Sequence, residues 1–376
     1  MWPKNRRRQQ RATGRCFKGQ ERLIKNLPDL LEPATRRRIE EWFHQQWPDV
    51  SIARAWRAEG GFSNETWFIE LASGGDARVV VLRRQPLIGP LEPYDLAREA
   101  RVIECLADSQ VPVPTIEAFC DDRQVAGSPF LVMECVEGIV PEYRNLPEYP
   151  PWQDPLNRTE MARELLRALR EIQSVPVGAG APLATALNGA GVGAVPVISR
   201  VRSIREKLQA QVAPTSMPPV LEYAAAWLLE NALPVEGGLV LVHGDFKVGN
   251  FIWRDDAIVS VLDWELAAIG DPLEDLGYAC HPVMRARAPE LMAMLVPFEE
   301  LKILYEEEFG RELDLQRLHY YLISALYFHL YTFVTGLISG LKGADLRVAL
   351  GFAKFPLGTK ALIHHIERYE DGIHVL

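Results

Sequence analysis

Two carboxylates, an amide and a cation stand close together in one part of this chain. The run Leu241-Val242-His243-Gly244-Asp245-Phe246-Lys247-Val248-Gly249-Asn250 is followed, thirteen residues after Asn250, by Asp263. An apolar stretch ends in a short loop bearing Asp245, Lys247 and Asn250. A β-hairpin is then predicted to return and present Asp263 inside Val259-Ser260-Val261-Leu262-Asp263-Trp264-Glu265. Phosphoryl transfer uses this set of groups: one carboxylate orients and deprotonates an acceptor hydroxyl, while an amide oxygen and a second carboxylate hold Mg²⁺ against nucleotide phosphates. A lone His-x-Asp triplet arises by chance. HGDxxxxN joined to a hairpin that ends in an apolar residue and an aspartate is far more specific, and its bland alternative is a polar loop with structural aspartates.

Those groups need elements to hold them. Ile39, Trp42 and Phe43 recur at helical spacing in Ala34–Trp47, which predicts a helix. From Ser51 to Val81 the texture is strand-like, with Trp67-Phe68-Ile69 and Val79-Val80-Val81-Leu82 separated by the turn cluster Ser73-Gly74-Gly75-Asp76. A helix is predicted over Tyr94–Ala107, and strands over Thr115–Cys120 and Phe130–Cys135 with Asp121-Asp122 as the turn between them. Beyond Gly138 come a Pro-rich loop (Pro141–Pro155) and a helix (Arg158–Gln173), then a connection without periodicity (Val175–Pro196). Helices follow over Ile198–Gln211, over Pro219–Leu233 and over most of the chain past Pro289. Strands grouped together with a helix among them give an α+β class. A basic leader over 1–26, read as disordered, precedes two expected lobes: a sheet-plus-helix lobe over 27–137 that clamps nucleotide, and a larger, mainly helical lobe over 138–376.

The order of these motifs resembles the aminoglycoside phosphotransferase and choline kinase branch of the protein-kinase-like fold. It is especially similar to the phosphotransferase domains found near acyl-CoA dehydrogenases, over roughly Ser51 to Leu341. The resemblance implies Asp245 as catalytic base, Asn250 and Asp263 as Mg²⁺ ligands, Lys247 near the γ-phosphate, and Asp275 tying down the backbone of the catalytic loop. Glu59-Gly60-Gly61-Phe62-Ser63-Asn64-Glu65-Thr66 falls where such folds cover the phosphates. Gly60 and Gly61 let backbone N–H groups approach, and Ser63 and Asn64 add donors, although paired glycines also simply make turns. Alternation in Val80-Val81-Leu82-Arg83 places Val81 and Arg83 on one face. Arg83 therefore stands where kinases carry lysine, with Arg84 as the other candidate, and arginine offers phosphate a bidentate fork. Glu99 matches the ion-pair partner of that cation. In Phe130-Leu131-Val132-Met133-Glu134-Cys135-Val136-Glu137-Gly138 the resemblance sets Met133 against adenine and backbone groups of Glu134 and Val136 at its edge.

The implied activity is transfer of the γ-phosphoryl group of ATP, with Mg²⁺, to a hydroxyl of a small molecule such as a hydroxyacyl-CoA. An aminoglycoside or amino-alcohol kinase is the alternative, and a nucleotide-binding pseudokinase is a third reading, favoured only by Arg83. Acceptor groups are harder to read. The acids Glu299, Glu300, Glu306, Glu307, Glu308, Glu312 and Asp314 form either a cation-seeking surface or a solvated helix face. Tyr320, Tyr321, Tyr327, Phe328, Tyr331 and Phe333 suit a pocket or a core. Arg200, Arg202, Arg205, Arg285 and Arg287 are cations available for acceptor phosphates, and His329 reads as a hydrogen-bonded core residue.

Composition narrows the field. The chain has 376 residues, 48% hydrophobic and 24% charged, with a net charge of −9. Its first 25 residues carry +8, which leaves −17 for the rest, and so acidic a body repels nucleic-acid backbones. The five cysteines are odd in number and form no CxxC pair, as expected of reduced thiols in a cytoplasmic protein. Tyr320–Leu341 has no formal charge and is long enough to span a bilayer. Its polar residues and two glycines instead predict a helix buried in the larger lobe, so no membrane partner is expected.

Overall fold

In the computed structural model the described residues are 32–374, without 59–63, 142–145, 147–149, 188–195, 214–215, 286 and 345–348. The chain enters through α1 (Pro33–Gln46), which buries the predicted stripe Ile39, Trp42 and Phe43. Five antiparallel strands follow in the order β1-β2-β3-β5-β4: β1 (Ser51–Arg57), β2 (Glu65–Ser73), β3 (Asp76–Arg84), β4 (Ile116–Cys120) and β5 (Phe130–Glu134). Ser73 pairs with Asp76 across a two-residue turn. Gly74 and Gly75 hold φ of 58° and 92° there, as a turn matched to strand twist requires.

Alternation along β3 decides which side chains meet. Val80 and Leu82 are buried with Ile69, Leu71 and Val132 against α1. Val81 and Leu131 turn to the opposite face, which α2 (Leu96–Leu106) covers with Leu96 and Ala100. Arg83 belongs to this second face by its period, and its register opposite Leu131 places it in the middle of the sheet. The side chain of Asp95 caps α2 by accepting the N–H of Arg98, which sets the phase that buries Glu99. The turn expected at Asp121-Asp122 is longer than predicted: Asp122 caps a one-turn helix, Arg123–Ala126, closed by Gly127 in the left-handed region.

The remainder is mainly helical. The helices are α3 (Pro155–Gln173), α4 (Pro196–Gln211), α5 (Pro219–Glu230), α6 (Glu274–Cys280), α7 (Phe298–Phe309), α8 (Leu315–Leu341) and α9 (Phe355–Glu370). They surround two short sheets, in which β6 (Val240–Val242) pairs with β9 (Ala268–Gly270) and β7 (Phe251–Arg254) with β8 (Ala257–Val261). Helix α3 begins three residues earlier than predicted, because Asp154 caps it and Pro155 takes the first turn, where its missing N–H costs nothing. The connection Val175–Pro196 contains a short helix, Pro182–Ala186. The chain past Pro289 is not helical at once, since Met292 bridges Val296 in a tight turn before α7.

Helix α8 carries the uncharged run. It is the one described helix long and apolar enough to cross a membrane, and 72% of its apolar window is buried inside the protein. Gly277 makes that packing possible, because a Cβ there would stand 2.7 Å from the backbone of Tyr321. The aromatic cluster is mostly core: Tyr320, Tyr321, Tyr327 and Tyr331 are each at most 2% exposed. The acids Glu299 to Glu308 lie on α7, which α3 engages through Arg163 with Glu307, Arg170 with Glu308, and Thr159 with Glu300, while Asp314 caps α8.

Candidate active site

The loop between β6 and β7 is held from below. Asp275, 2% exposed near the start of α6, accepts the backbone N–H groups of His243 (2.8 Å) and Gly244 (2.9 Å). Burial pushes its carboxyl up to about 6, against the pull of His243 and those N–H groups. Gly244 takes φ of 85°, and a Cβ there would lie 2.6 Å from the Leu266 carbonyl oxygen, so only glycine fits. The His243 ring accepts the Asp245 N–H at Nδ1 (3.2 Å), and its Nε2 lies 2.8 Å from the Leu262 carbonyl oxygen. These two bonds assign the proton to Nε2. They also link the loop to the strand that delivers Asp263.

Asp245 is 8% exposed. Its Oδ2 accepts from Lys247 Nζ (2.6 Å) and from the Asn250 side-chain amide (2.8 Å). Burial alone would raise this carboxyl, but Lys247 and the hydrogen bonds outweigh it and hold the group below the usual aspartate range. In return, burial pulls the Lys247 ammonium down, and Asp245 more than restores it. The other oxygen, Oδ1, is buried without a hydrogen-bond partner among the described residues. The Tyr278 hydroxyl lies beside this carboxylate and helps to hold it low, while burial and the neighbouring Asp245 lift the tyrosine well above its ordinary pKa. A buried carboxylate oxygen left open beside a cation is suited to receive an O–H donor.

Asp263 reaches the same region from the end of β8, at φ of 68°. Non-glycine residues adopt the left-handed region uncommonly, and here it turns the chain sharply at the end of the hairpin. Its Oδ1 accepts from Arg83 Nη2 (2.8 Å), while Arg83 Nη1 donates to Glu99 Oε1 (2.6 Å). One guanidinium fork thus spans from the helix facing the sheet to the end of the hairpin. Burial lowers the Arg83 pKa, and the surrounding acids Glu99 and Asp263 reverse that, so the cation is permanent. Burial raises Glu99, and Arg83 opposes it.

The residues over 54–313 match the Phosphotransferase enzyme family, APH. This chain belongs to the phosphotransferase enzyme family. Among curated relatives, acyl-CoA dehydrogenase family member 10 of Mus musculus is 35% identical over 224 residues, 58% of this chain and 19% of that protein. Acyl-CoA dehydrogenase family member 11 of Gallus gallus is 34% identical over 223 residues, 58% of this chain and 26% of that protein. The phosphotransferase therefore spans about a fifth to a quarter of the length of these relatives. Solved structures share the fold. A GDP complex of aminoglycoside 2'-phosphotransferase-IIIa superposes with a TM-score of 0.56 at 20% identity, covering 90% of this chain and 99% of that one. A ternary complex of aminoglycoside phosphotransferase APH(4)-Ia with AMP-PNP and hygromycin B gives 0.57 at 16%, covering 89% and 99%.

Within this phosphotransferase the structure gathers the six residues into two hydrogen-bonded groups, Asp245 with Lys247 and Asn250, and Arg83 with Glu99 and Asp263, which the Leu262 N–H to Asn250 carbonyl bond ties together through the backbone. Gly60, Gly61 and Ser63 lie outside the described residues. Asn64 is 8% exposed, and its amide donates to Glu265 Oε2 (3.3 Å). Met133 is buried in the face under α2. The Glu134 N–H donates to Thr115 O (2.9 Å), and Val136 is half-buried just beyond β5. Arg84 pairs with Glu65 and is a sheet residue. Of the proposed acceptor cations, Arg200 pairs with Glu274 and Arg205 with Glu222, while Arg285 is buried on the carbonyls of Cys280 and Pro289.

His329 corrects the sequence reading. Its Nδ1 is buried without a hydrogen-bond partner among the described residues, and the ring packs against His281 (centroids 4.9 Å apart) and Phe333. Burial pushes its pKa down to about 4, so the neutral ring behaves as packing surface. Three contributors escape sequence reasoning: Tyr278 beside Asp245, Glu265 against Asn64, and Arg98, which donates to the carbonyls of Glu265 and Ala267. Glu265 adjoins the Asp263-Trp264 pair, a signal that was present. Arg98 and Tyr278 act across long sequence gaps and left none.

Proposed function

We propose that this chain is an ATP- and Mg²⁺-dependent kinase that moves the γ-phosphoryl group to a hydroxyl of a small molecule. The observation that carries the reading is the division of labour on Asp245, with Oδ2 saturated by Lys247 and Asn250 and Oδ1 buried and open. An acceptor O–H docked on Oδ1 is oriented for attack and loses its proton there as the bond to phosphorus forms. Lys247, fixed 2.6 Å from that carboxylate, places positive charge beside the transferring group.

The donor set fits a hard cation. Asn250 spends its amide N–H groups on the carbonyl and carboxylate of Asp245, which leaves its side-chain oxygen without a described partner. Asp263 offers Oδ2 while Arg83 holds Oδ1. An amide oxygen and a carboxylate oxygen are the ligands Mg²⁺ takes together with substrate phosphates. Bound there, the ion supplies charge neutralisation on the phosphate oxygens. In this reading Arg83, held by Glu99 and Asp263, sets a fixed positive charge beside the phosphates.

The acceptor is proposed to be a hydroxyacyl-CoA or a similar metabolite. The acidic stretch on α7, the sequence's best candidate for binding a polycationic sugar, has three of its acids engaged by α3. The acyl-CoA dehydrogenase relatives support the same preference. The test is ADP release with Mg²⁺ and ATP across hydroxyacyl-CoAs, aminoglycosides and amino alcohols, with Asp245→Asn alongside. Loss of the base should lower turnover by about 10²–10⁴-fold. A drop below about threefold at unchanged nucleotide affinity would remove Asp245 from the role.

A further inference from the structure

A cavity of about 60 Å³ lies among α4, α6, α8 and the catalytic loop. Gly244 and Tyr278 line it, and both also adjoin Asp245, so whatever occupies the cavity is a near neighbour of the base. Apolar surface comes from Ile204, Leu266 and Phe328, and polar groups from Arg200, Tyr321 and Ser324. Tyr321 is 1% exposed, and its hydroxyl has no hydrogen-bond partner among the described residues. It lies near enough to Arg200 for the two to interact electrostatically. A buried hydroxyl without a partner is rare in folded proteins and asks for a ligand.

Charge and size select that ligand. Arg200 is paired with Glu274, and Asp275 also lines the space. An ammonium group entering the cavity meets the Arg200 guanidinium, and a carboxylate meets Glu274 and Asp275; each is also stripped of water. A neutral oxygen avoids both penalties and accepts the hydrogen that Tyr321 has to give. A cavity of about 150 Å³ holds benzene, so this one has room for about two or three heavy atoms, the carbonyl end of a probe such as acetamide whose remainder stays in the open mouth.

We propose that this cavity is an acceptor subsite for a small, uncharged, oxygen-tipped group, a carbonyl or carboxamide, with the Tyr321 hydroxyl as its donor. Its assignment to the acceptor rests on the phosphotransfer reading above, whereas its chemistry does not. Tyr321 thereby determines specificity without touching the transferred phosphoryl group.

The test is ligand-observed NMR on the full chain with three probes of similar size: acetamide, acetate and ethylammonium. Each is titrated to about 100 mM, a range that covers ordinary per-atom binding efficiencies for so few atoms. Acetamide should bind and the two ions should not. Tyr321→Phe, which deletes a hydroxyl that nothing else uses, should weaken acetamide about fivefold. Ala325→Leu, which fills the cavity from α8, should abolish binding, with thermal melting confirming that both variants fold. No acetamide binding to the wild type, equal binding to Ala325→Leu, an unchanged affinity in Tyr321→Phe, or a preference for acetate overturns the subsite. Asp245→Asn should lose phosphotransfer and keep acetamide. If acetamide binds as described while no acceptor is ever phosphorylated, the subsite stands and the catalytic reading fails.

Discussion

Replacing Arg83 by methionine removes a cation and keeps most of its stem, which makes the central fork measurable. In the wild type two charge-assisted bonds, of 2.6 Å to Glu99 and 2.8 Å to Asp263, converge on one guanidinium. Glu99 is 1% exposed, so without Arg83 its carboxylate has no water to turn to. Two bonds of this kind are worth roughly 3–6 kcal/mol in sum, and removing one partner of a buried pair costs roughly 3–5 kcal/mol. Glu99 can escape part of that loss by taking up a proton, so we expect a deficit of about 3 kcal/mol at pH 8. The escape also fixes the sign of the pH dependence. Burial already raises the folded pKa of Glu99 above its unfolded value, and losing Arg83 raises it further. Stability from such a group is complete below the unfolded pKa and lost as pH rises through the folded one. The two proteins therefore differ least in acid, where Glu99 is protonated in both. The gap widens by up to about 1.4 kcal/mol per pH unit between the two folded pKa values. Urea denaturation from pH 6 to 9, followed by tryptophan fluorescence, reads this directly, since Trp264 adjoins Asp263 and Trp67 lies in the sheet core. Adding Glu99→Gln should recover most of the loss. A deficit that is flat with pH, below about 1 kcal/mol at pH 8, or unrelieved by Glu99→Gln would refute the account of Arg83 as the counter-charge of a buried carboxylate.

Three further outcomes are expected. Lys247→Met removes the cation that holds the Asp245 carboxyl low, so its pKa rises and the acid limb of the rate profile moves to higher pH, by on the order of one unit; initial rates from pH 5 to 9 measure it. Gly244→Ala forces a Cβ onto the Leu266 carbonyl oxygen at a φ of 85°, and calorimetry should record a loss of about 2 kcal/mol or more together with a fall in kcat. Asp263→Asn weakens the proposed metal site, so half-saturation for Mg²⁺ should rise at least about tenfold in an ADP-release assay while the apo protein still melts cooperatively.

Much of this protein is legible in its sequence because the signals are local. Apolar alternation in Val79–Leu82, the glycine pair at 74–75 and the spacing of Ile39, Trp42 and Phe43 each act within a few residues, and the structure places a strand, a turn and a helix there. The HGDxxxxN run and Asp263 are joined by one short hairpin, so their meeting follows from chain connectivity alone. The boundaries at Asp154 and Asp122 were displaced for an equally local reason: capping aspartates opened a helix where a loop or a turn was expected.

Tertiary structure decided what depends on distance along the chain. Arg83 meets Asp263 across 180 residues, and Asn64 meets Glu265 across 201, contacts that no periodicity encodes. The acids of α7 became partners for α3, and the aromatic run of α8 became core, because packing assigns each helix face to a neighbour that composition cannot name. The same packing buried Tyr321 beside Arg200 and left its hydroxyl unsatisfied. Residue types and their period settle which groups are available and on which face of an element they lie. Which faces are pressed together, and therefore which charges are desolvated, paired or left open, is settled only when the elements close on one another.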